Sequence, residues 1–212
     1  MKTDHLIAAL AADAAPRGPG LRPALAGALA LGALLAALVF AALLGVRGSF
    51  MASLSSPQFL LKFLVTALLA GTSLMLVERL ARPGVRRRRF WFLLLVPVAI
   101  LAGAVGAELA RLPTALWETR MVGTNWLLCL TFVPLIALAP LALALLALRR
   151  GASEAPAWSG FAAGLLAGAI GAFLYAAHCP DDSPLFVAVW YTLAILSVGV
   201  LGAIAGRTLL RW

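Results

Sequence analysis

The stretch His178-Cys179-Pro180-Asp181-Asp182-Ser183-Pro184 gathers an imidazole, a thiol and two carboxylates between two long apolar segments. Pro180 and Pro184 lack amide donors, and Ser183 followed by Pro184 is a favourable pair for opening a helix. Read as a tight polar turn, the stretch makes its flanks a hairpin of two helices. Those flanks, about 158–177 and 184–205, each approach the roughly 20 apolar residues needed to cross the hydrocarbon layer. The turn then serves either as a plain hairpin or as the place where Cys179 meets chemistry outside the membrane. Asp181 and Asp182 are read here as caps of the following helix.

The rest of the chain repeats this pattern. Hydrophobic residues make up 63% and charged residues only 12% of 212, where a soluble protein has roughly a quarter charged. The mean hydropathy is +1.02. One soluble core could not enclose so much apolar surface, so the bilayer is the natural solvent. Four further apolar runs, about 23–46, 59–80, 90–109 and 122–148, bring the total to six. Pro134 and Pro140 are expected to kink the fourth. The expected fold is all-α: six transmembrane helices and a short cytoplasmic amino-terminal amphipathic helix. Residues 1–22 form the amino-terminal segment, and 23–212 the membrane domain.

Charge sets the orientation. With the amino terminus inside, thirteen of the seventeen basic residues face the cytoplasm, including the run Arg86-Arg87-Arg88-Arg89. Only Arg47, Lys62, Arg111 and Arg120 fall outside. Cytoplasmic loops are normally the positive ones, so a net charge of +9 needs no nucleic acid to explain it. Trp126, Tyr175, Trp190 and Tyr191 then lie near the outer face as an aromatic belt. Gly160, Gly164 and Gly168 recur every fourth residue, as do Gly202 and Gly206, which predicts close packing of the last two spans. Such faces serve contacts within a chain and between chains alike.

The amino-terminal segment carries a second pattern. Thr3-Asp4 can cap a helix, and Leu6, Ile7, Leu10, Ala11 and Ala14 recur at helical spacing until Pro16, with Asp4 and Asp13 off the stripe. A helix of about three turns is marginal alone in water. It either lies on the membrane or docks into a soluble partner.

Cys129 and Cys179 both fall in the outer part of the membrane domain. They are too few for a disulfide scaffold. In an oxidising compartment they can join if their Cα atoms come within about 7 Å, or bind a soft metal ion with His178 as a third ligand. Cys129 can equally be a small buried hydrophobe. No catalytic constellation stands out, and His5 and His178 lie on opposite sides of the membrane. The chain reads as a non-enzyme that requires no cofactor. A small multipass transporter fits the spans, but transport usually needs charge at the bilayer midplane, and the centres of the runs have almost none. A structural subunit with a lipid-lying amino-terminal helix fits as well.

The opening Met1-Lys2-Thr3-Asp4-His5-Leu6-Ile7-Ala8-Ala9-Leu10, the six spans, and the late His178-Cys179-Pro180-Asp181-Asp182-Ser183-Pro184-Leu185-Phe186 followed by Trp190-Tyr191 resemble the NrsF-type anti-sigma factors over essentially the whole chain. That resemblance implies a multi-pass regulator of the bacterial inner membrane with both termini cytoplasmic. It implies that the partner is an extracytoplasmic-function sigma factor, held through Thr3, Asp4, Leu6, Ile7, Leu10 and Asp13, with no direct nucleic acid contact. It further implies release under heavy-metal or oxidative stress, with Cys129 and Cys179 matching the family's two characteristic cysteines and a heavy-metal ion at most a transient visitor.

Overall fold

The fold was established as a computed structural model describing residues 3–5, 7, 8, 20–82 and 91–211. Six long helices dominate it: α1 (Leu21–Leu43), α2 (Pro57–Leu80), α3 (Leu95–Arg111), α4 (Trp126–Leu148), α5 (Pro156–Ala176) and α6 (Thr192–Leu209). A 3-10 turn, Trp91–Leu94, leads into α3. A helical turn, Pro184–Phe186, and a π-helical turn, Val187–Tyr191, lead into α6. Six segments are long and apolar enough to cross a membrane, and there is no strand among the described residues. The expected all-α membrane domain is observed.

The fourth apolar segment, Thr114–Leu148, contains a break before its long helix. Gly123 adopts φ +61°, a left-handed conformation that ends the helical turn Trp117–Val122. Only glycine reaches that region at little cost, so α4 begins anew at Trp126. Cys129 therefore sits in the first turn, roughly 5 Å below the helix start at 1.5 Å per residue. Past that point α4 runs unbroken through Pro134 and Pro140.

The helix α5 is the centre of the bundle and α3 its edge. In α5, 67% of the apolar window is buried, against 6% in α3. Small residues cause this difference. A Cβ added at Gly160 would overlap the Gly202 carbonyl, and one at Gly164 would overlap the Val198 carbonyl. One at Gly206 would lie 2.5 Å from the Pro156 carbonyl, and one at Gly171 2.7 Å from the Val133 carbonyl of α4. Without side chains at these points, backbones approach closely enough for dispersion to hold them together in lipid. The same device joins α1 to α4, where a Cβ on Gly32 would lie 2.7 Å from Pro140 Cα. Elsewhere leucines such as Leu31, Leu34 and Leu38 of α1 face outward, as membrane-facing surface does.

The chain crosses five times between the start of α1 and the end of α5, so these lie at opposite ends of the bundle. They are called here the amino end and the cysteine end. Thr3, Asp4, His5 and Ile7 are helical and exposed. Leu6, Leu10, Asp13 and the run Arg86–Arg89 lie outside the described residues.

Candidate functional site: a polar junction around Cys179

The end of α5 unwinds into the turn that carries Cys179. The amides of His178 and Cys179 both reach back to the Tyr175 carbonyl, at 2.9 and 3.0 Å. The Cys179 carbonyl is thereby left outside the helix ladder. Two cations take it. Lys62 of α2 donates to it from Nζ at 2.9 Å, and Arg47, between α1 and α2, donates from Nη1 at 2.9 Å.

Both cations also hold Asp182. Arg47 grips its carboxylate with two nitrogens, at 3.2 and 2.9 Å. Lys62 Nζ lies 2.6 Å from Asp182 Oδ1 and 3.4 Å from the Asp181 carbonyl. Lys62 has no exposed surface. Arg47 lies 4.5 Å above the Phe59 ring, a favourable place for a partly desolvated guanidinium, while its buried Nε has no hydrogen-bond partner among the described residues. The α1–α2 connection is shaped for this grip. Gly45 turns the chain at φ +68°, the Arg47 amide donates to the Ala177 carbonyl at 3.1 Å, and His178 Nδ1 lies 3.1 Å from the Gly45 carbonyl, which accepts its proton.

The other acids of the cysteine end work as caps, though not as expected. Asp181 accepts from the amides of Thr124 (3.0 Å) and Asn125 (2.8 Å), so it caps α4. Asp182 is instead taken up by buried Lys62 and half-buried Arg47. The start of the sixth span is capped by Glu108 of α3, which accepts from the Leu185 amide at 3.0 Å and from the Ser183 hydroxyl at 2.9 Å. Ser183 stands in the N-cap position but gives its hydroxyl to Glu108 instead of accepting an amide.

Beneath the turn lie both thiols. Cys129 and Cys179 are unbridged, fully buried and members of one apolar cluster with Tyr175, Phe186, Val187 and Tyr191. The Cys179 Sγ lies 3.7 Å from the Asp181 carbonyl. Burial pushes the Cys179 thiol above its ordinary range, and the Lys62 ammonium pulls the other way. The aromatic belt is half as wide as expected. Tyr175 and Tyr191 are 0% and 1% exposed and roof the thiols from within. Only the tryptophans sit at the surface, where Trp126 stacks at 5.2 Å on Trp190, whose indole donates to the Met121 carbonyl. Among the described residues no group of three or more His, Cys, Asp or Glu is arranged to hold a metal ion; the two thiols come together, and His178 turns to Gly45.

Arg47, Lys62 and Glu108 are the site residues that sequence reasoning missed. A signal existed for Lys62: an ammonium inside an apolar run faces the protein interior and has a partner. Its nearness to the span's start let it pass as an outside charge.

Comparison with known proteins bears on the same chain. The profile of the family NrsF, negative regulator of sigma F, matches residues 10–212. The anti-sigma-F factor NrsF of Caulobacter vibrioides is 38% identical over the full length of both chains. The probable anti-sigma-F factor NrsF of Azospira oryzae is 34% identical, again over the whole of each. No solved structure matches the chain.

Proposed function

The chain belongs to the NrsF family of negative regulators of sigma F, and from that premise we propose that it holds an extracytoplasmic-function sigma factor through its amino-terminal segment and releases it when an oxidant or heavy-metal ion reaches Cys129 and Cys179. In this reading the protein sits in the bacterial inner membrane with both termini in the cytoplasm. The thirteen basic residues assigned to the amino end support that orientation.

One observation carries the reading. The buried thiols lie at the end of the bundle opposite the start of α1, and the Cys179 carbonyl is clamped by Arg47 of the α1–α2 connection and Lys62 of α2. A packed interior has no room for an added atom. A metal ion or a new bond at the thiols must therefore shift the Cys179 backbone. That shift pulls the carbonyl and Asp182 away from Arg47 and Lys62, and leaves an ammonium in the interior without full compensation, which is strongly unfavourable. The turn after α1 must then rearrange, and α1 leads straight to the sigma-holding segment. A stimulus moves such an equilibrium only through its differential affinity for the two states. Here the difference is steric, since only the opened state accommodates a modified thiol.

The holding step follows the helix-in-groove mode, with Leu6, Ile7 and Leu10 as anchors. The test joins the two halves. Co-purification of the sigma factor is measured with the wild type, with Leu6→Asp/Leu10→Asp, and with Cys129→Ser/Cys179→Ser, each with and without oxidant or cadmium. The leucine variant is expected to release the sigma factor in every condition. The serine variant is expected to retain it in every condition. Retention by the leucine variant, or stress-induced release from the serine variant, defeats the corresponding half.

A further inference from the structure

We propose that the seam between α2 and α3 is a binding site for one phospholipid, its phosphate held by Arg111 and Arg120 and one acyl chain lying in an apolar slot beside the π turn of the sixth span. Two cavities define it. At the cysteine end, a cleft of about 560 Å³ has Ser56, Gln58, Glu108, Arg111, Arg120 and Asp182 in its walls. Deeper in the bundle, a slot of about 170 Å³ lies between Val65 and Leu69 of α2, Pro97 and Leu101 of α3, and Tyr191 and Ile195 of the sixth span. The cavities follow each other along the same faces. Leu61 and Ala104 line the first, and Val65 and Leu101, each about one helical turn deeper, line the second.

The polar and apolar ends lie in the order a phospholipid needs. From Leu101 to Arg111 is roughly 15 Å at 1.5 Å per residue, a span suited to a headgroup, a glycerol and the upper part of an acyl chain. The seam exists because α3 is a poor neighbour: Pro97 is its one buried residue. A groove of this kind in a membrane is filled by lipid unless protein covers it.

Charge identifies the headgroup. Both carboxylates in the cleft are engaged, Asp182 by Arg47 and Lys62 and Glu108 by the start of the sixth span. Among the described residues, neither Arg111 nor Arg120 has a hydrogen-bond or ion-pair partner. Glu118 is two positions from Arg120, a spacing that does not bring helix side chains together. The Ser56 hydroxyl donates to Gln58 Oε1 and so leaves the first turn of α2 uncapped. Glu108 accepts only from neutral donors and keeps its charge, but Arg111 and Arg120 together with the two cations on Asp182 leave the cleft positive overall; beside an open, electropositive helix start this suits a phosphate, which arginine meets with paired N–H bonds.

The proposal is independent of the sigma-factor reading. It is tested by native mass spectrometry of the full chain in mild detergent. One retained phospholipid per chain is expected, exchangeable for added phosphatidylglycerol and resistant to diacylglycerol of the same chains and to inorganic phosphate. Arg111→Gln/Arg120→Gln should lower retention roughly tenfold or more, given the usual strength of charge-assisted hydrogen bonds. Leu101→Trp, which fills the slot, should do the same, and Arg149→Gln at the amino end should change nothing. Displacement by diacylglycerol or by phosphate alone overturns the proposal, as does equal retention in the variants. Absence of lipid together with a dimer cross-linked through α3 would assign the seam to a second copy. The wild-type displacement series decides the question even where a variant fails to fold.

Discussion

Lys62 is an ammonium with no exposed surface five residues into a membrane-crossing helix. Such a charge persists only where its partners are fixed, and Asp182 at 2.6 Å with the Cys179 carbonyl at 2.9 Å are those partners. Burial holds the Cys179 thiol above the ordinary range, and Lys62, the opposing influence, favours the thiolate. Because the thiolate is the nucleophile, alkylation of Cys179 by a small maleimide, measured in the Cys129→Ser background, should be slow at neutral pH. Its rate should climb only as pH passes above the ~8.5 of a free cysteine. Lys62→Met should move the midpoint higher still, and Lys62→Arg should bring it back. A midpoint at the free-cysteine value, or one unmoved by Lys62→Met, would show that the ammonium does not act on the sulfur.

At the scale of elements, the α5–α6 pair was the most legible part of the chain. Glycines at 160, 164, 168, 202 and 206 announce a close approach by their spacing alone, and the structure joins those faces. Gly202→Leu should therefore be severe. It places a branched side chain where the Gly160 carbonyl lies, and overpacking of this kind costs about 1–3 kcal/mol or more. Gly27→Leu is the control, since a Cβ there meets nothing within 4 Å, and exchanging a helix-interior glycine for a better helix former in open space costs nothing and adds about 0.5–1 kcal/mol. Thermal unfolding in detergent, followed by loss of helical signal, separates the two; equal midpoints would contradict the packing described. Gly32 and Gly171 also lie close to partner backbones, a Cβ at either falling 2.7 Å from one, but neither belongs to a four-residue repeat, so no such spacing advertised them. Gly123 hid in an apolar window because hydropathy does not register φ, so the helix break before Trp126 was not legible in the sequence.

For the molecule as a whole, two ends of opposite character frame the function. Their assignment to cell compartments rests on the basic residues, and a labelling experiment checks it. In a Cys129→Ser/Cys179→Ser background, Ser55→Cys at the cysteine end should react with a membrane-impermeant maleimide applied to intact spheroplasts. Ala152→Cys at the amino end should react only after permeabilisation. Both substituted residues are exposed, so accessibility alone decides, and the reverse pattern would sink the signalling scheme. The number of spans and the shared depth of Cys129 and Cys179 were readable in the chain because hydropathy and residue count suffice for both. The clamp was not. Arg47 and Asp182 are 135 positions apart, and no local pattern links them; only the folded bundle brings opposite charges from different hairpins to one carbonyl.

That long separation has a bearing on biosynthesis. The ribosome delivers Lys62 to the membrane 117 residues before Cys179 emerges to receive it. Until the final hairpin inserts, α2 carries a cation into lipid without its counter-ion, and the opening hairpins cannot reach their finished arrangement. The closing turn thus acts as a keystone: a nascent chain interrupted before it displays an uncompensated charge within the membrane.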